Sequence, residues 1–229
     1  MANDNVTEHQ EKKTGQLLLD GLGLLGIRVS EESIARLTSY SVELQKWNKR
    51  VNLVAKNTSL QDIVEKHFID SLTLIPLLHK YNLTSGPLLD VGSGAGFPGL
   101  VVKVACPSLE TVLLEPRQRR VSFLNHIIRT LSIKNIKVMM HRIEDDCLLS
   151  EYDFSIITGR AVADIPTFLK MVSFRTGHRT LVVCMQGEKG KQEWRMGVQD
   201  REFTWVGTEE YTLPFSGAKR YLLQYRKVN

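Results

Sequence analysis

The stretch LLDVGSGAGFPG, Leu88 to Gly99, constrains this chain's fold more than any other. Four glycines fall within eight residues, directly behind a short apolar run that carries Asp90. Glycine lets a backbone turn sharply and approach a ligand with no Cβ in the way. Pro98 suits the first turn of a following helix, where its missing N–H costs nothing. A strand, a glycine turn and a helix in that order belong to an open α/β sheet, whose ligands bind beyond the carboxyl ends of the strands.

The rest of the chain extends that pattern. The runs LLDV, TVLLE, IKVMM, FSIIT and TLVVC alternate with segments that can form helices. Continuous apolar runs suit strands buried on both faces of a parallel sheet, and the alternation predicts a doubly wound α/β fold. REFTWVG and RYLLQYRK, joined by a Pro/Gly-containing segment, read as an antiparallel hairpin at the sheet edge. Residues 15–82 read as helical. SEESIARLTSYSVELQKWN offers Ser30 as an N-cap, an imperfect capping box, and Ile34, Leu37, Val42 and Leu44 as apolar positions. LQDIVEKHFIDSLTLIPLL repeats the pattern with Ile63, Val64, Phe68, Leu72 and Ile75. The expected organisation is a disordered tail over residues 1–14, a helical cap over 15–86 and a catalytic domain over 87–229.

Composition excludes more than it assigns. The 229 residues suffice for one sizeable core with an appendage. A net charge of +5 favours an acidic partner such as nucleic acid without requiring one. Cys106, Cys147 and Cys184 form no CxxC pair, so neither a zinc site nor a disulfide framework is indicated. LLLDGLGLLGI is too short to span a bilayer, carries Asp20 and lacks a basic flank followed by a cleavage site. A cytoplasmic protein with no membrane and no metal partner, acting as a monomer, is the expectation.

The glycine loop satisfies both GxGxxG, Gly94 to Gly99, and DxGxGxG, Asp90 to Gly96. A dinucleotide would place its pyrophosphate at the helix start. S-adenosylmethionine has no phosphate and carries a positive sulfonium, so an acid at the tip of the first strand fits it better. Glu115, at the end of the second strand, can take ribose hydroxyls of either cofactor. The third strand is followed by Ile143-Glu144-Asp145, where an acid can hold an adenine amino group. S-adenosylmethionine is therefore preferred over NAD. A ligand-free αβ turn is the alternative.

At this point five motifs in order, WNKRVNL, HFIDSL, LLDVGSGAGFPGL, LLEPRQRRVSFL and GRAVAD, resemble the small-subunit ribosomal RNA methyltransferase G family, also called glucose-inhibited division protein B. The resemblance runs from about residue 15 to the C-terminus. It implies a Rossmann-like S-adenosylmethionine-dependent methyltransferase with a mostly parallel seven-stranded sheet. It also implies methyl transfer to guanine N7 in the decoding-region loop of 16S ribosomal RNA, free or in the assembling small subunit. The implied cofactor site is Asp90, Gly92, Gly94, Gly96, Phe97, Glu115, Ile143 and Glu144, bordered by Arg160. The chain departs from the family at Gln186, where a lysine is usual, with Lys189 as a substitute from the next turn. It departs again at Lys219-Arg220, where only the arginine of an acid–arginine pair is kept.

Other readings stay open beside this one. A small-molecule methyltransferase and a non-catalytic ribosome-binding protein are the rivals. Arg160 is read as a substrate or cofactor-site residue, against a structural ion pair. The chain has no Asn/Asp-Pro-Pro-aromatic motif for exocyclic amines and no Pro-Cys nucleophile for pyrimidine carbon. Guanine N7 needs neither. Arg117, Arg119 and Arg120 crowd the start of an amphipathic helix with Val121, Leu124, Ile128 and Leu131 as its core stripe. That opposes the helix dipole and makes sense beside RNA phosphates or acidic neighbours, or as a solvated basic face. With Lys189 and Arg220 these arginines form the expected RNA contacts. His67, Asp70 and Ser71 share a helical face and read as a polar network joining helices to sheet, with a cofactor lid as the alternative. Trp47, Asn48 and Asn52 read as a helix end packed on the sheet.

Overall fold

The computed structural model describes residues 2–145, 148–188, 190 and 201–228. One sheet of seven strands organises it: β1 (Leu88–Val91), β2 (Thr111–Leu114), β3 (Ile136–Met139), β4 (Ile156–Arg160), β5 (Leu181–Gly187), β6 (Phe203–Thr212) and β7 (Lys219–Lys227), in the order β3-β2-β1-β4-β5-β7-β6. β1 to β5 pair parallel, and β7 runs antiparallel to both β5 and β6. The doubly wound sheet and its terminal hairpin are as the apolar runs predict. FSIIT begins two residues before β4, because Phe154 packs in the core ahead of the first paired residue.

The helices are α1 (Ala2–Leu24), α2 (Glu31–Asn48), α3 (Leu60–Ile63), α4 (Asp70–Leu72), α5 (Leu74–Lys80), α6 (Gly99–Ala105), α7 (Gln118–Thr130) and α8 (Ile165–Val172). A π-helical stretch, Val64–Ile69, links α3 to α4. Ser30 caps α2 by accepting the Ser33 N–H at 3.1 Å, which offsets one orphan donor of the first turn. The disordered tail expected over residues 1–14 is corrected. Helix α1 starts at Ala2, Gln10 hydrogen-bonds Gln45 at 2.5 Å, and Thr14 is fully buried. Packing on α2 stabilises a segment whose composition alone reads as frayed.

Alternating residues of the strands face two cores. Leu88 and Leu113 join Leu18, Leu37, Phe68, Leu100 and Phe123, so the N-terminal helices share one core with the sheet. Leu89, Val91, Val112 and Leu114 join Ile165, Phe168 and Leu169 on the other face. The chain leaves β1 toward the first layer and β4 toward the second. The switch in strand order therefore falls between β1 and β4, where an open α/β sheet has its binding crevice.

Candidate active site

The glycine loop leaves β1 with Gly92, Gly94 and Gly96 at φ of 69°, 59° and 91°. These left-handed values favour glycine over residues with a Cβ. Gly92 also faces Val162 on the segment after β4, where an added Cβ would lie 3.1 Å from a methyl carbon. The turn is held from two sides. Gly94 N–H donates to Glu115 Oε2 at 2.9 Å, and the Tyr40 hydroxyl of α2 donates to the Ala95 carbonyl. Tyr40 was not singled out in the sequence, because it sits within an apolar helical stripe. Its burial raises its pKa.

Asp90 lies beneath this loop, fully buried. Its Oδ2 accepts the Gly99 N–H at 2.9 Å, so the first free donor of α6 is already satisfied. Burial pushes its pKa to about 7, against the Gly99 and Ser93 hydrogen bonds that lower it. Through Oδ2 the carboxyl group shapes the loop from below, while Oδ1 is buried with no partner among the described residues. Pro98 occupies the cap position of α6, one residue before its first turn. Phe97 is also buried, 5% exposed, stacked against Tyr40 at 6.0 Å and His67 at 4.9 Å. It supports the site from within the core.

Glu115, 2% exposed, spends both oxygens on the protein. Oε2 takes Gly94 N–H, Oε1 takes Arg117 N–H at 2.9 Å, and Arg120 lies 3.7 Å from Oε2. This acid is the neighbour that offsets the arginines at the start of α7. Arg120 is thereby drawn to the glycine loop, while Arg117 and Arg119 remain exposed. The core stripe of α7 is corrected as well. Phe123, Leu124 and Ile127 are its buried residues, and Ile128 and Leu131 are only partly covered, because Phe123 turns inward to meet Tyr40 and Trp47.

A cavity of about 180 Å³ opens beside the loop, lined by Val91, Gly92, Leu114, Ile143, Glu144 and Val162 among others. Ile143 is buried and Glu144 exposed at its rim. The lining is mostly apolar, with one acid able to accept from an exocyclic amine. Such a slot suits a flat heteroaromatic ring.

The second cavity, about 420 Å³, lies across the segment that follows β4. His67, Asp70, Arg160, Gln186, Tyr211 and Arg220 are among its walls. Arg160 closes β4 and is pinned three ways. Nη1 donates to the Lys66 carbonyl at 2.8 Å and to Asp70 Oδ2 at 2.9 Å, and Nη2 donates to His67 Nδ1 at 3.0 Å. Burial, and then the Arg160 charge, lowers the His67 pKa to about 3, which keeps that nitrogen an acceptor. The guanidinium rests 5.2 Å over the Phe97 ring. Asp70, 3% exposed, also takes the Tyr211 hydroxyl at 2.8 Å and lies 3.6 Å from Arg220 Nε.

Arg160 and Arg220 thus meet at one acid, though 60 residues separate them in sequence. The polar network expected for His67 and Asp70 is present, and Ser71 adds a hydrogen bond to the His67 carbonyl at 2.5 Å. Tyr211 and Glu65 were missed. Glu65 is buried and accepts from Phe215 and Ser216 N–H at 2.5 and 2.8 Å, which ties the π-helical stretch to the hairpin turn. Glu65 belongs to the π turn, and such widened turns re-aim helical side chains and carbonyls, whereas Tyr211 reaches Asp70 from β6. Lys189 and Cys147 lie outside the described residues. Cys106 and Cys184 are buried free thiols. Among the described residues, no group of three His, Cys, Asp or Glu side chains is placed to hold a metal ion. No helix there is long and apolar enough to cross a membrane.

A family profile described as rRNA small subunit methyltransferase G matches residues 33–223. The chain is 43% identical over 215 residues to "Ribosomal RNA small subunit methyltransferase G" of Desulfotalea psychrophila, covering 90% of this chain and 95% of that one. The protein of the same name from Geobacter sulfurreducens is 33% identical over 212 residues, covering 91% and 95%. Among solved structures, MtNAS in complex with MTA and tNA matches with a TM-score of 0.57 at 10% identity, over 95% of this chain and 87% of that one. Coclaurine N-methyltransferase bound to N-methylheliamine and SAH matches with a TM-score of 0.52 at 12% identity, over 90% and 74%. At such identities the structural likeness is one of fold.

Proposed function

The chain belongs to the rRNA small subunit methyltransferase G family, and from that premise we propose that it methylates guanine N7 in the decoding-region loop of 16S ribosomal RNA. It acts in the cytoplasm as a monomer, on the RNA or the assembling small subunit. The cofactor is S-adenosylmethionine, which when bound supplies an electrophilic methyl group on a sulfonium. The residues present fit it. The left-handed glycines open the loop, and the apolar cavity with Glu144 at its rim suits an adenine ring. Gly92, Gly94 and Gly96 would line the cofactor, Ile143 and Glu144 would hold its base, and Glu115 would keep the loop in shape.

One observation carries the reading: Arg160, at the end of β4 beside the strand that leads into the glycine loop, lines the charged cavity with its guanidinium plane fixed. Three of its five N–H groups go to Lys66, Asp70 and His67, which leaves Nε–H and one Nη2–H with no acceptor among the described residues. Guanine N7 has a nucleophilic lone pair and no proton to lose, so the reaction needs orientation more than a general base. A bidentate contact to O6 and N7 would block the reacting atom. Arg160 therefore donates to O6 alone or to a flanking phosphate. Arg220 and the half-buried Gln186 border the same cavity.

The test is to incubate the protein with labelled S-adenosylmethionine and unmodified small subunits or ribosomal RNA, and to map the label. Methyl on guanine N7 of the decoding-region loop is expected. Label on another atom, or none, overturns the reading.

A further inference from the structure

The C-terminal end of α2 holds a cavity that methyl transfer does not use. It measures about 420 Å³ and is lined by Glu43, Lys46, Trp47, Lys49, Arg50 and Val51. Trp47 is half-buried, its ring centroid 5.6 Å from Phe123 and 5.1 Å from His126. Those contacts fix the indole plane.

The charges around the ring are unequal. Glu43 is already engaged, with Lys46 at 2.8 Å and His126 at 2.7 Å. Lys49 and Arg50 are exposed and carry no ion pair among the described residues. Asn48 Oδ1 accepts the N–H groups of Leu53 and Val54 at 2.8 and 3.0 Å, which folds the chain back and presents both cations where the helix ends. A fixed aromatic face beside unpaired cations is the combination that binds single-stranded nucleic acid, by stacking a base and neutralising its phosphates.

We propose that this cavity is a second RNA contact, in which one unpaired base stacks on Trp47 and the flanking phosphates are held by Lys49 and Arg50. The proposal rests on the reading of the chain as a ribosomal RNA methyltransferase and adds a site to it. Ring contacts run from Trp47 through Phe123 and Tyr40 to Phe97, beneath Arg160, so both RNA contacts share one rigid support.

The experiment uses the full chain with Trp194→Phe and Trp205→Phe, which leaves Trp47 as the sole indole. A single-stranded oligoadenylate of ten nucleotides should quench its fluorescence. Lys49→Gln with Arg50→Gln should weaken oligoadenylate binding about tenfold at low salt and leave S-adenosylmethionine affinity unchanged. Both changes are on exposed side chains, so folding does not confound them. Absent quenching, an unaltered affinity in the double variant, or equal quenching by a duplex of the same length would each overturn the proposal. Quenching by polyglutamate but not by RNA would overturn it too, by marking a protein contact. Methyl transfer by the wild type to unmodified small subunits is measured alongside. An inactive wild type refutes the parent reading, whereas an active one with an unaffected double variant refutes this site alone.

Discussion

The cavity bounded by Gly92 and the cavity bounded by Arg160 adjoin the same short segment after β4, yet they share little chemistry. The first is shaped by backbone and aliphatic side chains, with Glu115 and Tyr40 holding the loop from outside the cavity. The second is walled by charged and polar groups from the π-helical stretch, α4, β4, β5, β6 and β7. A change in the first should alter ligand affinity locally. A change in the second should reach stability as well, because the groups that face substrate also join layers of the fold.

That contrast is open to direct attack, and the largest effect is expected at Asp70. Asp70→Ala leaves Arg160, Arg220 and Tyr211 without their shared acceptor. Breaking a buried, hydrogen-bonded charge cluster costs about 3–5 kcal/mol. Urea unfolding checks it, and a loss under about 1 kcal/mol would mean that this acid does not join the layers.

Arg160→Ala comes next. Asp70 keeps Tyr211 and Arg220, so the fold should persist while single-turnover methyl transfer falls about 100-fold, or about 2.7 kcal/mol. Cofactor affinity should stay within about twofold of wild type. Arg160→Lys keeps the charge without the planar fork and should recover only part of the rate. A wild-type rate in the alanine variant would make Arg160 purely structural.

Glu115→Ala probes the other cavity. Two N–H groups lose a charged acceptor, and cofactor binding by calorimetry should weaken by about 1.5–3 kcal/mol. Unchanged affinity would show that the loop keeps its shape without this acid.

The smallest effect is at the exposed start of α7. Replacing Arg117 and Arg119 by glutamine should lower the log–log salt slope of RNA binding by about 0.7 for each phosphate no longer neutralised. Arg120 is left intact because it leans on Glu115. An unaltered slope would place the RNA elsewhere.

The sheet was legible because strands buried on both faces leave unbroken apolar runs, and LLDV coincides with β1 residue for residue. The glycine loop was legible because its backbone angles exclude most other residues. The second and third turns of α1 were not, since their residues are mostly polar and their supports, the Gln10–Gln45 hydrogen bond and the burial of Thr14, are tertiary. The polar cavity was legible in part. Arg160 and Asp70 stood out as single positions, but their meeting with Tyr211 and Arg220 joins residues up to 150 apart in sequence, and no local spacing encodes it. The contact of Tyr40 with Ala95, 55 residues away, is likewise encoded by no local spacing.

The position of β7 between β5 and β6 bears on the order in which the molecule is assembled. β6 and β7 are joined by a short turn, so this hairpin can form by itself on a microsecond scale. The parallel pairs β1 to β5 close longer loops and form more slowly. Until the hairpin docks, Asp70 lacks Tyr211 and Arg220, and Glu65 lacks the N–H groups of Phe215 and Ser216. The glycine loop waits for none of these, since its supports are Tyr40, Asp90 and Glu115. The charged cavity is therefore complete only once the hairpin has docked, whereas the cofactor loop has all its supports within the first half of the chain.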